Sequence, residues 1–226
     1  MNTPSGHELP WPRLIRTPSE ATRFIDHAGF CVLFPLKNVP LGSLYYAVAK
    51  RRDVRWDKYA QLIWKWKDDL PKKRRALYAK YFKSRGSFLS LQLLPYFLAI
   101  EGTAVGAEAC YKMGRISHDA LELWQALEKH GALPTLELRQ ASKLETPAGN
   151  KRFKKAMLEL QGLLLVTHSG AAQETEAWAS NCFDLVTRAF PRQVQQARKI
   201  SPDTAVRLTP GSRTAIDSAI RTSSRF

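Results

Sequence analysis

The sequence predicts an α+β fold that is predominantly helical, with a winged helix-turn-helix in the C-terminal half and a helical, basic N-terminal part. Three observations lead there. Apolar residues recur at helical spacing through most of the chain, as in Tyr59, Leu62, Ile63, Trp66 and Leu70 at i, i+3, i+4, i+7 and i+11. From Ile116 to Pro191 the order is a helix, a short helix, a basic helix, then two strands joined by a turn. Hydrophobic residues make up 44% of the 226, enough for a packed core in one large or two small domains.

Taken in order, residues 1–16 are rich in proline, glycine and polar residues and are expected to form a flexible arm. Residues 17–101 are expected to form a helical basic domain. Thr17-Pro18-Ser19-Glu20 supplies a cap, a first-turn proline and a capping-box glutamate, and Gly29 ends that helix. Phe30 to Phe34 is a short apolar run, either a buried strand or a core-lining loop, and Pro35 and Pro40 bracket a turn after it. Leu41 to Arg51 reads as helical. Trp56 to Leu70 is a stronger helix, with Lys58, Lys65 and Lys67 off its apolar stripe and Pro71 expected to end or bend it. A second basic helix is expected from Lys72 to about Phe82, burying Leu77, Tyr78, Tyr81 and Phe82, with Arg85-Gly86 breaking it. Ser90 to Glu101 is an apolar helix in which Pro95 fits only as a kink or a new first turn.

Three glycines between Gly102 and Gly114 mark a linker. The winged-helix domain is expected at 115–191. Ser117 caps a helix over His118–Lys129 that Gly131 ends, and Thr135 caps a short one over Leu136–Ser142 that buries Leu138 and Ala141. Thr146-Pro147 opens the third helix, whose inner face is Phe153, Ala156, Met157 and Leu160, and Gly162 closes it. Leu163–Ser169 and Thr175–Arg188 are the wing strands around a turn at Gly170–Glu174, with Phe183, Leu185 and Thr187 sharing one face. Residues 192–226 are expected to give a helix to about Ile200, a short restart at Ser201-Pro202 and a mobile Ser/Thr/Arg-rich tail.

The chain carries 35 Lys and Arg against 20 Asp and Glu, a formal charge of +15. A surplus of that size favours polyanionic partners, nucleic acid before an anionic membrane surface. It is unevenly placed. Lys50 to Arg85 holds 14 basic and 4 acidic residues, whereas Ser117 to Phe190 holds 8 basic and 9 acidic. Cys31, Cys110 and Cys182 are scattered, with no CxxC or zinc-finger spacing, which suits a reducing compartment. The first residues lack an apolar signal core and no window approaches the ~18 apolar residues of a membrane span. The expected location is cytoplasmic, with no membrane partner and no cofactor.

Two surfaces have the chemistry to meet nucleic acid. The helix opened by Thr146 carries Asn150, Lys151, Arg152, Lys154 and Lys155 near its N-terminus, where backbone N–H groups also point outward. Lysines at phosphates would release counterions, and Asn150 or Arg152 would reach a base edge. The plainer alternative is the solvated face of an amphipathic helix. The second surface is the basic and aromatic stretch with Arg51, Arg52, Trp64 and the cluster Lys72, Lys73, Arg74 and Arg75. Most of its rings fit core positions, but Trp64 lies off the stripe and is open to base stacking. Catalytic patterns are weak. Ser117-His118-Asp119 reads as a cap and first turn, Asp68-Asp69 as charge balance at a helix end rather than a base or metal ligand, and His27 and His168 as surface or satisfied core.

Lys151-Arg-Phe-Lys-Lys-Ala-Met-Leu-Glu-Leu-Gln-Gly-Leu-Leu-Leu-Val166, followed by Phe183-Asp-Leu-Val-Thr-Arg-Ala-Phe-Pro191, resembles the AlkZ/YcaQ-like superfamily of winged-helix DNA glycosylases. Trp66-Lys-Asp-Asp-Leu-Pro71 before a basic stretch is similar to its shorter AlkZ-related members. The resemblance implies tandem winged-helix units around a DNA channel and removal of alkylated bases, some members unhooking interstrand crosslinks. It also implies a Gln-x-Gln or Gln-x-Asp catalytic element in the N-terminal part. Here Gln92-Leu93-Leu94 has only the first residue, and Gln193-Val194-Gln195 lies after the wing. The resemblance therefore implies double-stranded DNA, plain or damaged, as partner and a role in alkyl-base repair. An active glycosylase with a different residue set is one alternative. A winged-helix regulator or protein-interaction module is the other.

Overall fold

The computed structural model of the chain describes residues 11, 13–37, 41–173 and 179–208. The fold is α+β, with helices around two small antiparallel sheets. The expected arm (apart from its last few residues), Pro40 and the C-terminal tail beyond 208 lie outside the described residues.

The first sheet joins β1 (Phe30–Val32), β2 (Leu77–Phe82) and β3 (Arg85–Leu89) in the order β1-β3-β2. Cys31, Tyr78 and Phe88 point to one side, against α1 (Pro18–Ala28), α2 (Leu44–Ala49) and α3 (Lys58–Lys72). Phe30, Val32, Leu77, Ala79 and Leu89 point to the other, against α4 (Leu94–Glu101). The start of α1 is the expected capping box: Thr17 accepts from the Glu20 N–H, and Glu20 reaches back to the Thr17 N–H. Pro95 sits in the first turn of α4, so that helix starts at Leu94 rather than Ser90.

The expected basic helix from Lys72 to Phe82 is a helix end followed by a strand. Pro71 is accommodated in the last turn of α3, and β2 and β3 form a hairpin whose two turn residues, Lys83 (φ 47°) and Ser84 (φ 56°), take left-handed backbone. A strand covered on both faces shows no apolar–polar alternation, so its Leu77, Tyr78, Tyr81 and Phe82 imitate a helical stripe. The N-terminal part is consequently a helix–sheet–helix sandwich rather than helical throughout. The presumed linker holds α5 (Ala107–Lys112), whose Ala107 and Cys110 are buried in the same core as the helices that follow.

Those helices are α6 (His118–His130), α7 (Thr135–Ala141) and α8 (Pro147–Gly162). The second sheet joins β4 (Leu133–Pro134), β5 (Val166–Gln173) and β6 (Ala179–Leu185) in the order β4-β6-β5. Phe153, Ala156, Met157 and Leu160 of α8 are all buried as the spacing required. Ser117 and Thr146 cap α6 and α8 through the Ala120 and Gly149 N–H groups. Thr135 does not cap: it lies inside α7, and its hydroxyl donates to the Asn181 carbonyl at 2.9 Å. Leu138 is buried but Ala141 is exposed. Residues 170–173, expected as turn, extend β5, and the return strand stops at Leu185, so Thr187 belongs to the short helix α9 (Val186–Ala189). The chain closes with α10 (Pro191–Ala197) and α11 (Pro202–Arg207), the latter capped by Ser201.

The two halves share structure. Val186, Ala189, Phe190, Val194 and Ala197 complete the core beneath α4 and the first sheet. The outer edge of β2 is met by groups from the other half. Gln161 Oε1 of α8 accepts from the Lys80 N–H at 3.0 Å, and the Thr167 hydroxyl of β5 donates to the Tyr78 carbonyl at 3.1 Å. Gln161 and Thr167 are both buried, so these bonds satisfy an edge that would otherwise be desolvated.

A β-carbon at Gly149, in the first turn of α8, would lie 2.7 Å from the Leu144 carbonyl oxygen. Alanine gains about 1 kcal/mol over glycine in a free helix. Here the backbone clash outweighs that, and Gly149→Ala is expected to destabilise the protein by about 1–3 kcal/mol in urea unfolding.

Candidate nucleic-acid interface

The basic turn at the end of α3 is an exposed run of four cations. Lys72, Lys73, Arg74 and Arg75 are all exposed, and among the described residues none of the four makes an ion pair. Their arrangement follows from how the helix ends. The Arg75 N–H donates to the Leu70 carbonyl at 2.9 Å and the Arg74 N–H to the Pro71 carbonyl at 2.8 Å, with Arg74 at φ 51°. This is a Schellman ending with arginine where glycine is usual. Cations there also oppose the negative end of the helix dipole. The side chain of Lys72 lies along Gly170 of β5, where a β-carbon would come within 3.2 Å of it. A cleft of about 330 Å³ opens beside the turn, walled by Lys72 and Arg74 on one side and by His168, Ser169 and Cys182 on the other.

The remaining predicted contacts divide. Arg51 pairs with Asp57, the N-cap of α3, and its Nε donates to the Tyr45 hydroxyl at 3.2 Å, so it secures the loop before α3. Arg52 is exposed. Trp64 is 45% exposed, with Trp56 edge-on at 5.9 Å and Phe34 stacked at 6.5 Å. On α8, Lys151 and Lys154 are exposed and make no ion pair among the described residues, and Asn150 is half-buried. Lys155 lies 4.0 Å from Glu159. Arg152 is exposed and forms a two-pronged pair with Asp119 of α6, its Nε 2.8 Å from Oδ2. That pair holds α8 against the start of α6. His118, Asp119 and Glu122 place one ligand atom each within 4.8 Å of one another, but Asp119 is already engaged by Arg152. Gln92 and Gln193 line one groove between α4 and α10 together with Tyr96 and Gln196.

Sequence reasoning missed a buried polar cluster. Lys67, expected off the apolar stripe, is 4% exposed. Its Nζ donates to Asp68 Oδ1 at 2.5 Å and to Asn181 Oδ1 of β6 at 3.0 Å, and lies 5.0 Å from the centroid of the Trp64 ring. His168 of β5 is 2% exposed and donates from Nε2 to the same Asp68 oxygen at 2.5 Å. With that proton committed, the 3.4 Å approach of Lys67 Nζ to His168 Nε2 is a packing contact. Tyr78 and Phe183 meet the imidazole edge-on. A β-bulge between His168 and Gly170 sets this orientation, with Gly170 at φ 121°. Asp69, the other half of the acidic pair, faces outward and pairs with Lys65, as charge balance at a helix end requires. Lys67 stands four residues after Ile63 and three before Leu70, in phase with the buried stripe, which was the available signal.

Burial opposes charge on Asp68, but hydrogen bonds from His168 and Lys67 outweigh it and hold its pKa below the usual carboxylate range. Burial lowers the pKa of His168, helped by Lys67 and opposed by Asp68, so the ring stays neutral. Among the described residues no helix is long and apolar enough to cross a membrane.

A family model described as AlkZ related matches residues 15–209. The chain belongs to the AlkZ-related family. Comparisons with curated proteins and with solved structures gave no match. The match of this AlkZ-related chain begins just before α1 and ends just past α11, so it takes in both halves, the basic turn and the buried network.

The two shifted groups give a pH signature. His168 is depressed in the folded state, so an unfolded chain binds its proton first as pH falls below about 6.5. The stability it contributes is full above that value and is lost on acidification, and Asp68 adds a further loss below about 3.8. Urea midpoints measured from pH 7.5 to 5 are expected to fall, and His168→Gln is expected to flatten that fall.

Proposed function

We propose that this AlkZ-related protein binds duplex DNA, chiefly through phosphate contacts, in the service of alkylated-base repair. In this reading residues 115–191 form a winged helix. The order α6-β4-α7-α8-β5-β6 and the β4-β6-β5 sheet support it, with α8 as recognition helix and β5–β6 as wing. The observation that carries the proposal is the exposed four-cation turn Lys72–Arg75 set against β5. It provides one wall of a DNA site and the winged half the other, while family membership supports a setting in DNA repair.

Lys151 and Lys154 serve as secondary phosphate contacts, because Arg152 is paired with Asp119 at the surface. That same pair favours a second reading, in which α8 is a protein-contact surface and DNA is held by the N-terminal half alone.

Anisotropy titrations of a short duplex at two salt concentrations test this. Lys72→Ala with Arg74→Ala is expected to weaken binding at least tenfold and to reduce the salt slope by about two. Lys151→Ala with Lys154→Ala is expected to cost less. Arg74→Gly is expected to weaken binding while relieving about 1 kcal/mol of left-handed backbone strain. Absence of binding at low salt would sink the proposal, and a dominant effect of the α8 pair would reverse the ranking of the two walls.

A further inference from the structure

The four carboxylates between Lys50 and Arg85 are all ion-paired. Asp53 pairs with Arg55, Asp57 with Arg51, Asp68 with Lys67 and Asp69 with Lys65. Lys58 and Lys72–Arg75 are exposed and make no ion pair among the described residues. Uncompensated positive charge therefore stands at both ends of α3, and the middle of the helix is neutral. Beside its N-terminal half is an exposed pair of indoles, Trp56 at 67% exposure and Trp64 at 45%.

Neighbouring groups hold this pair in place. Phe34 lies against Trp64 at 6.5 Å and 29°, Lys67 Nζ is 5.0 Å from its centroid, and Trp56 meets it edge-on at 5.9 Å and 73°. The loop that carries Trp56 is fixed through its backbone. The hydroxyl of the buried Tyr45 donates to the Asp53 carbonyl and accepts from the Arg55 N–H and from Arg51 Nε, each at 3.2 Å. Asp57, the next residue after Trp56, caps α3 through the Tyr59 and Ala60 N–H groups. Trp56 meets no ring but Trp64 among the described residues. A large apolar ring is thus held in water with most of its surface uncovered, and the entropy of ordering it is already spent.

We propose that Trp56 and Trp64 form a stacking platform for an unpaired base, so that the protein prefers DNA in which a single strand leaves a duplex. This inference rests on the DNA-binding reading above and deepens it. A base inside a duplex has both faces covered by its neighbours and offers a protein only its edges. An unpaired base exposes its faces, and an aromatic ring accepts one of them whatever the sequence. Trp56 supplies the open ring, and Trp64 sets its angle. Charge selects the same partner over a peptide or an apolar protein surface. The cations at the two ends of α3 attract a polyanion, and no unpaired carboxylate on this stretch repels it.

The spacing places the two kinds of contact on neighbouring nucleotides. Trp64 and Lys72 are eight residues apart on α3, about 12 Å along its axis. At about 3.4 Å per base pair, that is the rise of three to four pairs of duplex. The last paired nucleotides set their phosphates on Lys72–Arg75 while the first unpaired base lies on the indoles. Stacking displaces no counterion, so the gain from the base is independent of salt, whereas the phosphate contacts are not.

The test is an anisotropy titration of the full chain, at two salt concentrations, against a blunt duplex, the same duplex with a short thymine overhang, and the same duplex with an overhang of stable abasic nucleotides. The abasic overhang keeps the phosphates and removes the bases. Wild type is expected to bind the thymine overhang about tenfold more tightly than the abasic one, by the same factor at both salts. Trp56→Ala, a change at the surface, is expected to abolish that factor with blunt-duplex affinity and salt slope unchanged, and Trp56→Tyr to keep most of it. Lys72→Ala with Arg74→Ala is expected to weaken all three DNAs alike and to keep the factor. Equal binding of the two overhangs by wild type overturns this inference and leaves the DNA-binding reading intact, whereas failure to bind any of the DNAs at low salt overturns both. A factor that survives Trp56→Ala, or that collapses at the higher salt, overturns the stacking platform.

Discussion

The contact on which the arrangement depends is the buried meeting of Lys67 and Asp68 from α3 with His168 and Asn181 from the β5–β6 hairpin. A lysine with 4% exposure is a heavy liability unless its charge is matched, and removal of one member of such a pair typically costs about 3–5 kcal/mol. Because the partners come from opposite halves of the chain, the cost fixes how the halves dock. The Thr167 and Gln161 bonds to the edge of β2 and the shared apolar core under α4 then follow in register. The bulge at Ser169 serves the same end, since it lets β5 pair with β6 while presenting His168 to α3.

The docked hairpin gives the basic turn a fixed place. Lys72 runs along Gly170, so the four cations are held beside the second sheet rather than at a free helix end. Other cations are used differently. Arg51 anchors the loop before α3, Arg152 ties α8 to α6, and Lys67 is interior. A formal charge of +15 therefore overstates the field offered to a polyanion, and the Lys72–Arg75 turn matters more than its share of the count. It also stands one helical turn beyond Asp68.

Much was determined by the sequence alone: the capped helices, the inner face of α8, the presence of two strands near the C-terminus, the family, and the exposure of Lys72–Arg75. These depend on interactions within a few residues, where capping chemistry and the 3.6-residue period act directly. The strand at Leu77–Phe82 was not legible, because coverage on both faces erases the period-two signal by which a strand is recognised. The interior fate of Lys67 and His168, and the surface pairing of Arg152 with Asp119, were decided only by the tertiary structure. The bonds from α3 to the hairpin span about a hundred residues and that from α8 to α6 spans 33. A charged side chain on a helix is solvated or buried according to what packs against it, and no local pattern encodes a partner so far along the chain.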